Sequence, residues 1–160
     1  MGLVPPVLVR RVAALPSGFE ELAADALADG QRLLEVLRED WQAGGPRFDG
    51  PGEALFIAEA AGALIGIGGL TRDPYLADEA AGRVRRLYVL RASRRHGAGR
   101  ALLGAIAESA RQAGWRLRVR APVAAFAFYE ACGFLRCVRE KAATHVMPVG
   151  DPPGLSLIHI

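Results

Sequence analysis

Lysine and asparagine are nearly missing from this 160-residue chain: Lys141 is the one lysine among twenty basic residues, and there is no asparagine. With 29 alanines and 19 glycines, that bias marks a GC-rich, by expectation bacterial, coding sequence rather than any chemistry. Cysteine is scarce as well. Cys132 and Cys137 make a single C-x4-C spacing, and His96, His145 and His159 are scattered, so neither a zinc site nor a disulfide framework is expected. A reducing, cytoplasmic location follows as the expectation. The longest apolar run, Ala54–Leu70, is interrupted by Glu59 and rich in glycine, which argues against a membrane span. At the N-terminus the arginines follow the short apolar stretch instead of preceding it, the wrong order for a secretion signal.

What is present is one domain's worth of chain, with 51% apolar residues, enough to bury a core without staples. Its net charge of +3 conceals a strong asymmetry. Residues 1–82 carry six basic and thirteen acidic side chains, or −7. Residues 83–120 carry eleven arginines against Glu108 alone, or +10, and residues 121–160 balance. A basic block of this kind points to an anionic partner.

Periodicity and turn chemistry give the order of elements. Val7–Val12 reads as a strand, and Ser17-Gly-Phe-Glu20 as a capping box opening a helical stretch that Gly30 weakens or breaks. Ala54–Glu59 and Ala63–Leu70 flank Ala61-Gly62 as an antiparallel hairpin. After the acidic loop Thr71–Gly82, Arg83–Leu90 is a strand, and a helix follows Gly97 as far as Ala113, capped by Gly114. Trp115–Ala121 is a strand, Val123–Ala131 a helix ending at Gly133, and Phe134–Arg139 and Thr144–Val149 are two last strands. The predicted class is α/β: a mixed, mostly antiparallel central sheet of about seven strands flanked by four helices. The domain is expected to span residues 1–150. Residues 151–160 fall outside it: two of the chain's six isoleucines lie in the last three positions. Leu155–Ile160 also back-translates to CTG-TCT-CTT-ATA-CAC-ATC, a transposase sequencing-adapter end, so an assembly artefact is expected there. The alternative is an apolar tail that packs on the domain or dimerises it.

The chemistry lies in Leu87–Leu103. A strand enters a basic turn, then Gly97-Ala-Gly99, then a helix. Glycines let a backbone approach a ligand closely, and the free amides of a helix N-terminus attract anions, so this segment suits a phosphate or pyrophosphate. A P-loop would need Gly-Lys-Ser/Thr, which is absent, and a dinucleotide turn would need glycine where Leu102 stands. Arg94-Arg-His-Gly-Ala-Gly99 instead resembles the Arg/Gln-x-x-Gly-x-Gly/Ala loop of the GNAT family of N-acetyltransferases. Phe128-Tyr-Glu-Ala-Cys-Gly-Phe134, one helix and one strand later, is similar to that family's C-terminal signature. The two motifs occur in order at family spacing, and the element order matches over roughly residues 5–149.

The resemblance implies the acyl-CoA N-acyltransferase fold, acetyl-CoA as co-substrate, and a small-molecule or peptide amine as acceptor, transferred by direct attack in a ternary complex. It implies that Leu87, Tyr88 and Val89 pair through their backbone with the pantetheine arm. Arg95, His96, Gly97, Ala98, Gly99 and Arg100 would hold the pyrophosphate through their amides, with the side chains of Arg94 and Arg95 beside them. The backbone amide near Val89 is implied as the donor to the thioester oxygen, and Tyr129 as the acid that protonates the departing thiolate. A phenol of pKa ~10 is protonated at neutral pH and can serve a thiolate whose acid has pKa ~8.5. No metal is expected.

Two departures accompany it. Where relatives carry a glutamate base on the strand before the loop, this chain has Arg85 and Arg86, and Glu53, Glu59, Asp73 and Glu79 are the acids that could substitute. Where relatives often have asparagine after the fifth strand, it has Arg120-Ala-Pro122.

Other readings stand beside these. Tyr129 could be an ordinary packed helix tyrosine, and His145 a half-exposed strand residue. The acidic loop could be a solvated linker or a wall of the acceptor site. Arg116, Arg118 and Arg120 are expected to pair with helix acids or lie at a sheet edge, since unpaired arginines do not face a dry core. The alternative is that they recognise an acidic acceptor or CoA phosphates. A non-catalytic acyl-CoA sensor and a basic nucleic-acid binder are the rival functions. Only Tyr88 and Trp115 offer stacking among the arginines, which disfavours nucleic acid. A membrane partner is not expected, and the oligomeric state is left open, with a homodimer as one option.

Overall fold

The computed structural model describes residues 5–148. Along the chain run β1 (Leu8–Val12), α1 (Phe19–Ala28), α2 (Leu33–Gln42), β2 (Ala54–Ala60) and β3 (Ala63–Arg72). Then follow β4 (Ala81–Val89), α3 (Ala98–Gln112), β5 (Arg116–Val119), α4 (Phe126–Ala131), β6 (Leu135–Arg136) and β7 (His145–Met147). The strands form one sheet in the order β1-β2-β3-β4-β5-β7-β6, and β4–β5 is its one parallel pair among the described residues. The expected seven-stranded, mostly antiparallel sheet with four helices is what the chain adopts. The expected tail at residues 151–160 lies outside the described residues. None of the described helices is long and apolar enough to cross a membrane.

Each sheet face carries its own apolar layer. On one, Leu22, Ala23 and Ala26 of α1 and Leu34 and Leu37 of α2 bury against Leu55, Ile57, Ile67 and Tyr88. On the other, Leu102, Leu103 and Ile106 of α3 bury against Ile65, Leu70, Val84, Leu117 and Val119. Full burial of one such leucine or isoleucine contributes about 1.5–3 kcal/mol. Glycines thin β3 between the two layers. A Cβ on Gly68 would stand 2.8 Å from Leu87 Cδ1, and one on Gly69 only 2.4 Å from the Phe48 ring.

Several boundaries differ from the expectation, each for a local reason. The Ser17–Glu20 capping box does not form. Gly18, at φ 88°, is the N-cap, which puts Ser17 one residue too early, and Glu20 pairs instead with Arg38 of α2 at 2.6 Å. Gly30, at φ 76°, separates α1 from α2; Gln31 N bonds Ala26 O and Gly30 N bonds Leu27 O, a Schellman ending. The acidic loop is shorter than expected, because Thr71↔Arg83 and Arg72↔Gly82 extend the β3–β4 ladder. The stretch Val123–Ala131 begins as a 3-10 turn, and the last two strands shrink to short pieces at the end of the sheet.

The arginine row on β5 finds acids, but not on helices or at an edge. β5 lies inside the sheet, and Arg116 and Arg118 pair with Glu79, Asp73 and Glu140 of the neighbouring connections, while Arg120 is exposed. Asp73 at the head of that connection is fully buried, whereas Pro74, Tyr75 and residues 77–80 are exposed. His145 is likewise fully buried rather than half-exposed, because β7 is covered by α4.

Candidate active site

The site is a fork in the sheet. β4 and β5 pair only at Ala81↔Arg116, Gly82↔Leu117 and Arg83↔Arg118. Beyond that point β4 stays on β3 through Gly66↔Val89, while β5 stays on β7 through Val119↔His145, so the two strands part. A bulge drives the separation. The β3–β4 register steps between Gly69↔Arg85 and Ile67↔Tyr88, with Arg86 at φ 55° as the extra residue, and a bulge bends its strand and increases its twist. Leu90 N donates to Ile65 O at 2.8 Å. Successive amides of a strand point to opposite edges, so the amides of Leu87 and Val89 turn toward the open side.

The fork opens onto the N-terminus of α3. Gly97 is the N-cap at φ 88°, and Ala101 is the first residue whose amide bonds back, to Gly97 O. The amides of Ala98, Gly99 and Arg100 therefore have no carbonyl a turn behind them. The two motif glycines serve different ends. Gly97 adopts a backbone conformation that a Cβ would strain, whereas Gly99 makes room: a Cβ there would approach Phe128 of α4 to 3.2 Å and Val89 to 3.7 Å. Gly99 is thus where β4, α3 and α4 meet.

The two loop arginines have separate fates. Arg94 donates to Asp29 at 3.0 Å and to Val89 O at 3.2 Å, with its guanidinium over the Tyr88 ring, so it braces the loop against α1. Arg95, at φ 68°, and His96 are exposed. The Tyr88 side chain leaves the fork altogether: its hydroxyl donates to Asp25 of α1 at 2.6 Å, and burial together with that bond pushes the phenol pKa upward. Only its backbone lies on the fork strand.

Across the fork, Tyr129 of α4 is 5% exposed and packs edge-on against Phe128 and Phe134. Burial raises its pKa above the ordinary phenol value, with nearby Cys132 adding to the rise, so the hydroxyl holds its proton at neutral pH. Beneath it runs a polar chain that sequence reading missed. His145 Nε2 lies 2.8 Å from Glu130 and Nδ1 lies 2.9 Å from Thr144 Oγ1, which also accepts from Ala121 N. A carboxylate only accepts, so Nε2 carries the proton shared with Glu130, while Thr144 Oγ1 also lies 3.4 Å from Val119 O. The bond to His145, then that to Arg136, holds the Glu130 carboxyl below the usual range. One signal was available in the sequence: Glu130 sits inside the Phe-Tyr-Glu motif, and Thr144-His145 opens the last strand.

The four acids weighed as bases are engaged elsewhere. Glu53 accepts from Gly50 N and Arg72 N, Glu59 pairs with Arg10, Asp73 with Arg118, and Glu79 with Arg116. Among the described residues, no cluster of three histidine, cysteine, aspartate or glutamate side chains could hold a metal ion. A hollow of about 480 Å³ under the β1–α1 connection, lined in part by Arg10, Leu15 and Leu64, lies at the far edge of the sheet and brings no comparable group of side chains together.

The sequence profile described as the acetyltransferase (GNAT) domain matches residues 51–136, the segment that builds the fork and the α3 turn. The chain belongs to the GNAT family. A solved acetyltransferase candidate from Exiguobacterium sp. 255-15 is 31% identical over 89% of this chain and 93% of its own, with a TM-score of 0.77. A GNAT-family acetyltransferase from Staphylococcus aureus Mu50 (17% identity, 87% and 96% covered, TM-score 0.60) shares the fold. So does glucosamine-6-phosphate N-acetyltransferase from Arabidopsis thaliana (13%, 85% and 96%, 0.59). No curated protein matches significantly. The GNAT fold implies use of an acyl-CoA, and the chain has what such a ligand needs: open α3 amides behind a left-handed glycine, and an unpaired strand edge leading to them.

Proposed function

We propose that this domain transfers an acetyl group from acetyl-CoA to a primary amine by direct attack in a ternary complex. The observation that carries the reading is the fork itself, a bulged strand whose free edge runs from Leu87 to Val89 and ends at the α3 amides. Acetyl-CoA supplies an activated acyl thioester. Leu87 and Val89 hydrogen-bond the pantetheine arm as an added strand would. The amides of Arg95 to Arg100 hold the pyrophosphate, with the Arg95 side chain adding charge, while Arg94 keeps the loop in shape.

A backbone amide near Val89, that of Leu87 at the apex end of the free edge, donates to the thioester oxygen as negative charge grows there during attack by the amine. Tyr129, which burial keeps protonated at neutral pH, gives its proton to the departing sulfur, and its phenolate takes a proton back from water. No covalent enzyme intermediate is needed, so Cys132 and Cys137 stay outside the chemistry. The amine enters as the free base and its surplus proton leaves to water, since the nearby carboxylates are already paired. Holding both reactants in the fork supplies rate through proximity.

The test is release of free CoA thiol from acetyl-CoA across a panel of amines, with Tyr129→Phe as the variant. The expected result is turnover with at least one amine, and a kcat lower by about 10²–10⁴-fold in the variant with acetyl-CoA affinity kept. Acetyl-CoA binding without turnover on any amine would instead favour a sensor. Absent acetyl-CoA binding with salt-sensitive nucleic-acid binding would overturn both readings.

A further inference from the structure

The face of the sheet under α1 and α2 carries a dense set of arginines around the apex of the fork. Val84 packs on the α3 side, so Arg83 and Arg85 of β4 point to the other face, joined by the bulge residue Arg86 and by the β5 row Arg116, Arg118 and Arg120. Four carboxylates answer them. Asp40 takes Arg86, Asp73 takes Arg118 and stands 3.7 Å from Arg83, and Glu79 and Glu140 take Arg116. Arg120 is exposed and can be hydrated. Arg85 is different. It is half-buried, and its one hydrogen bond among the described residues is a long one, 3.4 Å, donated to Thr71 Oγ1. Burial and then neighbouring Arg86 lower its pKa from the ordinary guanidinium value, and Asp40 and Asp73, engaged with Arg86 and Arg118, oppose that only in part; no carboxylate among the described residues forms an ion pair with it.

Arg85 is also placed where an acceptor must come. The α3 amides lie beyond the far end of β4, on the α3 and α4 side of the sheet, and Tyr129 is on that side too. A cofactor threaded from those amides along Leu87–Val89 has its acyl end directed at the apex, where β4–β5 pairing begins at Arg83. The opposite face is the approach left to the amine, and Arg85 is the first fork residue on it. A partly desolvated arginine with no direct ion pair is costly to keep for structure alone. The cost is offset when a ligand supplies the missing anion in a charge-assisted bond.

We infer that the acceptor amine carries an oxyanion, a carboxylate or a phosphate monoester, received by the Arg85 guanidinium beside the Thr71 hydroxyl. The inference rests on the acetyl-transfer reading above and narrows its substrate class to anionic amines.

A matched series tests it: 3-aminopropan-1-ol, its phosphate monoester, and 4-aminobutanoate, each with saturating acetyl-CoA. One of the anionic amines is expected to exceed the alcohol in kcat/KM by about tenfold to a hundredfold, the worth of a hydrogen bond to a charged group, and which one does so distinguishes phosphate from carboxylate. Arg85→Gln is expected to collapse that ratio toward one. An alcohol used as well as both anionic amines, or a ratio that survives in the variant, overturns the inference.

A second measurement needs no turnover. With CoA bound so that the α3 amides are filled, inorganic phosphate or acetate should raise the melting temperature of the wild type and not of Arg85→Gln. The variant without added anion should melt no lower than the wild type. An equal rise in both proteins, no rise in either, or a variant that melts markedly lower identifies Arg85 as structural and overturns the proposal. If no amine releases CoA while the Arg85-dependent rise persists, the transfer reading fails and the oxyanion site stands.

Discussion

Removing the charge of Asp73 is the sharpest test of how the fork apex is held. Asp73 and Arg118 are both fully buried and pair at 2.5 Å across the start of the β3–β4 connection. Asp73 also accepts the Tyr75 amide at 2.9 Å, and Arg118 donates to Lys141 O. Arg83 joins them by donating to Ala142 O at 2.6 Å. One carboxylate thereby ties β4, β5 and two connections together. Asp73→Asn keeps the shape and an acceptor for Tyr75 but leaves Arg118 without its charge partner. Breaking a buried pair on one side costs about 3–5 kcal/mol. Glu140 still stands 3.4 Å from Arg118 Nε, which sets the expectation at the lower end, about 3 kcal/mol, a large share of the ~5–15 kcal/mol of a typical domain. In urea, with tryptophan fluorescence as the signal, the midpoint should fall by about 1–3 M at unchanged slope. The control is Asp73→Asn combined with Arg118→Met, expected to cost less than the single change because no stranded charge remains. A single variant within about 1 kcal/mol of the wild type would refute the reasoning, as would a double variant less stable than the single one.

Three further outcomes follow from the geometry. Gly97→Ala meets no steric neighbour but must hold φ 88°; the strain is worth about 1–2 kcal/mol, and acetyl-CoA affinity, read by calorimetry, should fall as the α3 turn relaxes. Gly99→Ala should weaken acetyl-CoA binding by a different route, since its Cβ forces Phe128 to move, and a second change, Phe128→Leu, should restore part of the affinity. Tyr88→Phe removes the first cause that lowers the Asp25 pKa, the hydroxyl bond, ahead of the Arg91 contacts. A carboxylate lowered in the folded state stabilises above its unfolded value, near 3.8, and that contribution is lost as pH falls through the folded value. Stability measured between about pH 2 and 5 should therefore fall less steeply in Tyr88→Phe than in the wild type; equal slopes would show that the bond carries no linkage.

Most of the fold could be read in advance because its signals are local. Gly30 breaks a helix by its own backbone, Ala61-Gly62 closes a hairpin, and Gly97-Ala-Gly99 opens α3, each within a few residues. What misled were patterns correct in type and wrong in register, such as Ser17–Glu20, where the left-handed Gly18 took the cap. The short last strands were overdrawn for a related reason. β6 pairs at two positions only, a length set by its neighbour β7 and invisible in its own composition.

The chain's order of residues was enough to recognise the family and to raise the expectation of an anionic ligand at the α3 turn, because a phosphate-binding turn is built from consecutive amides and glycines. The fork was not legible, since it depends on which strands stop pairing: Arg83↔Arg118 and nothing beyond. Nor were the partners of the arginines. Arg85, Arg94 and Arg118 look alike as letters, yet one is half-buried with no ion pair among the described residues, one braces the loop and one is sealed in an ion pair. Charge is written in the sequence, but compensation and desolvation arise from residues tens of positions apart, and folding alone brings those together.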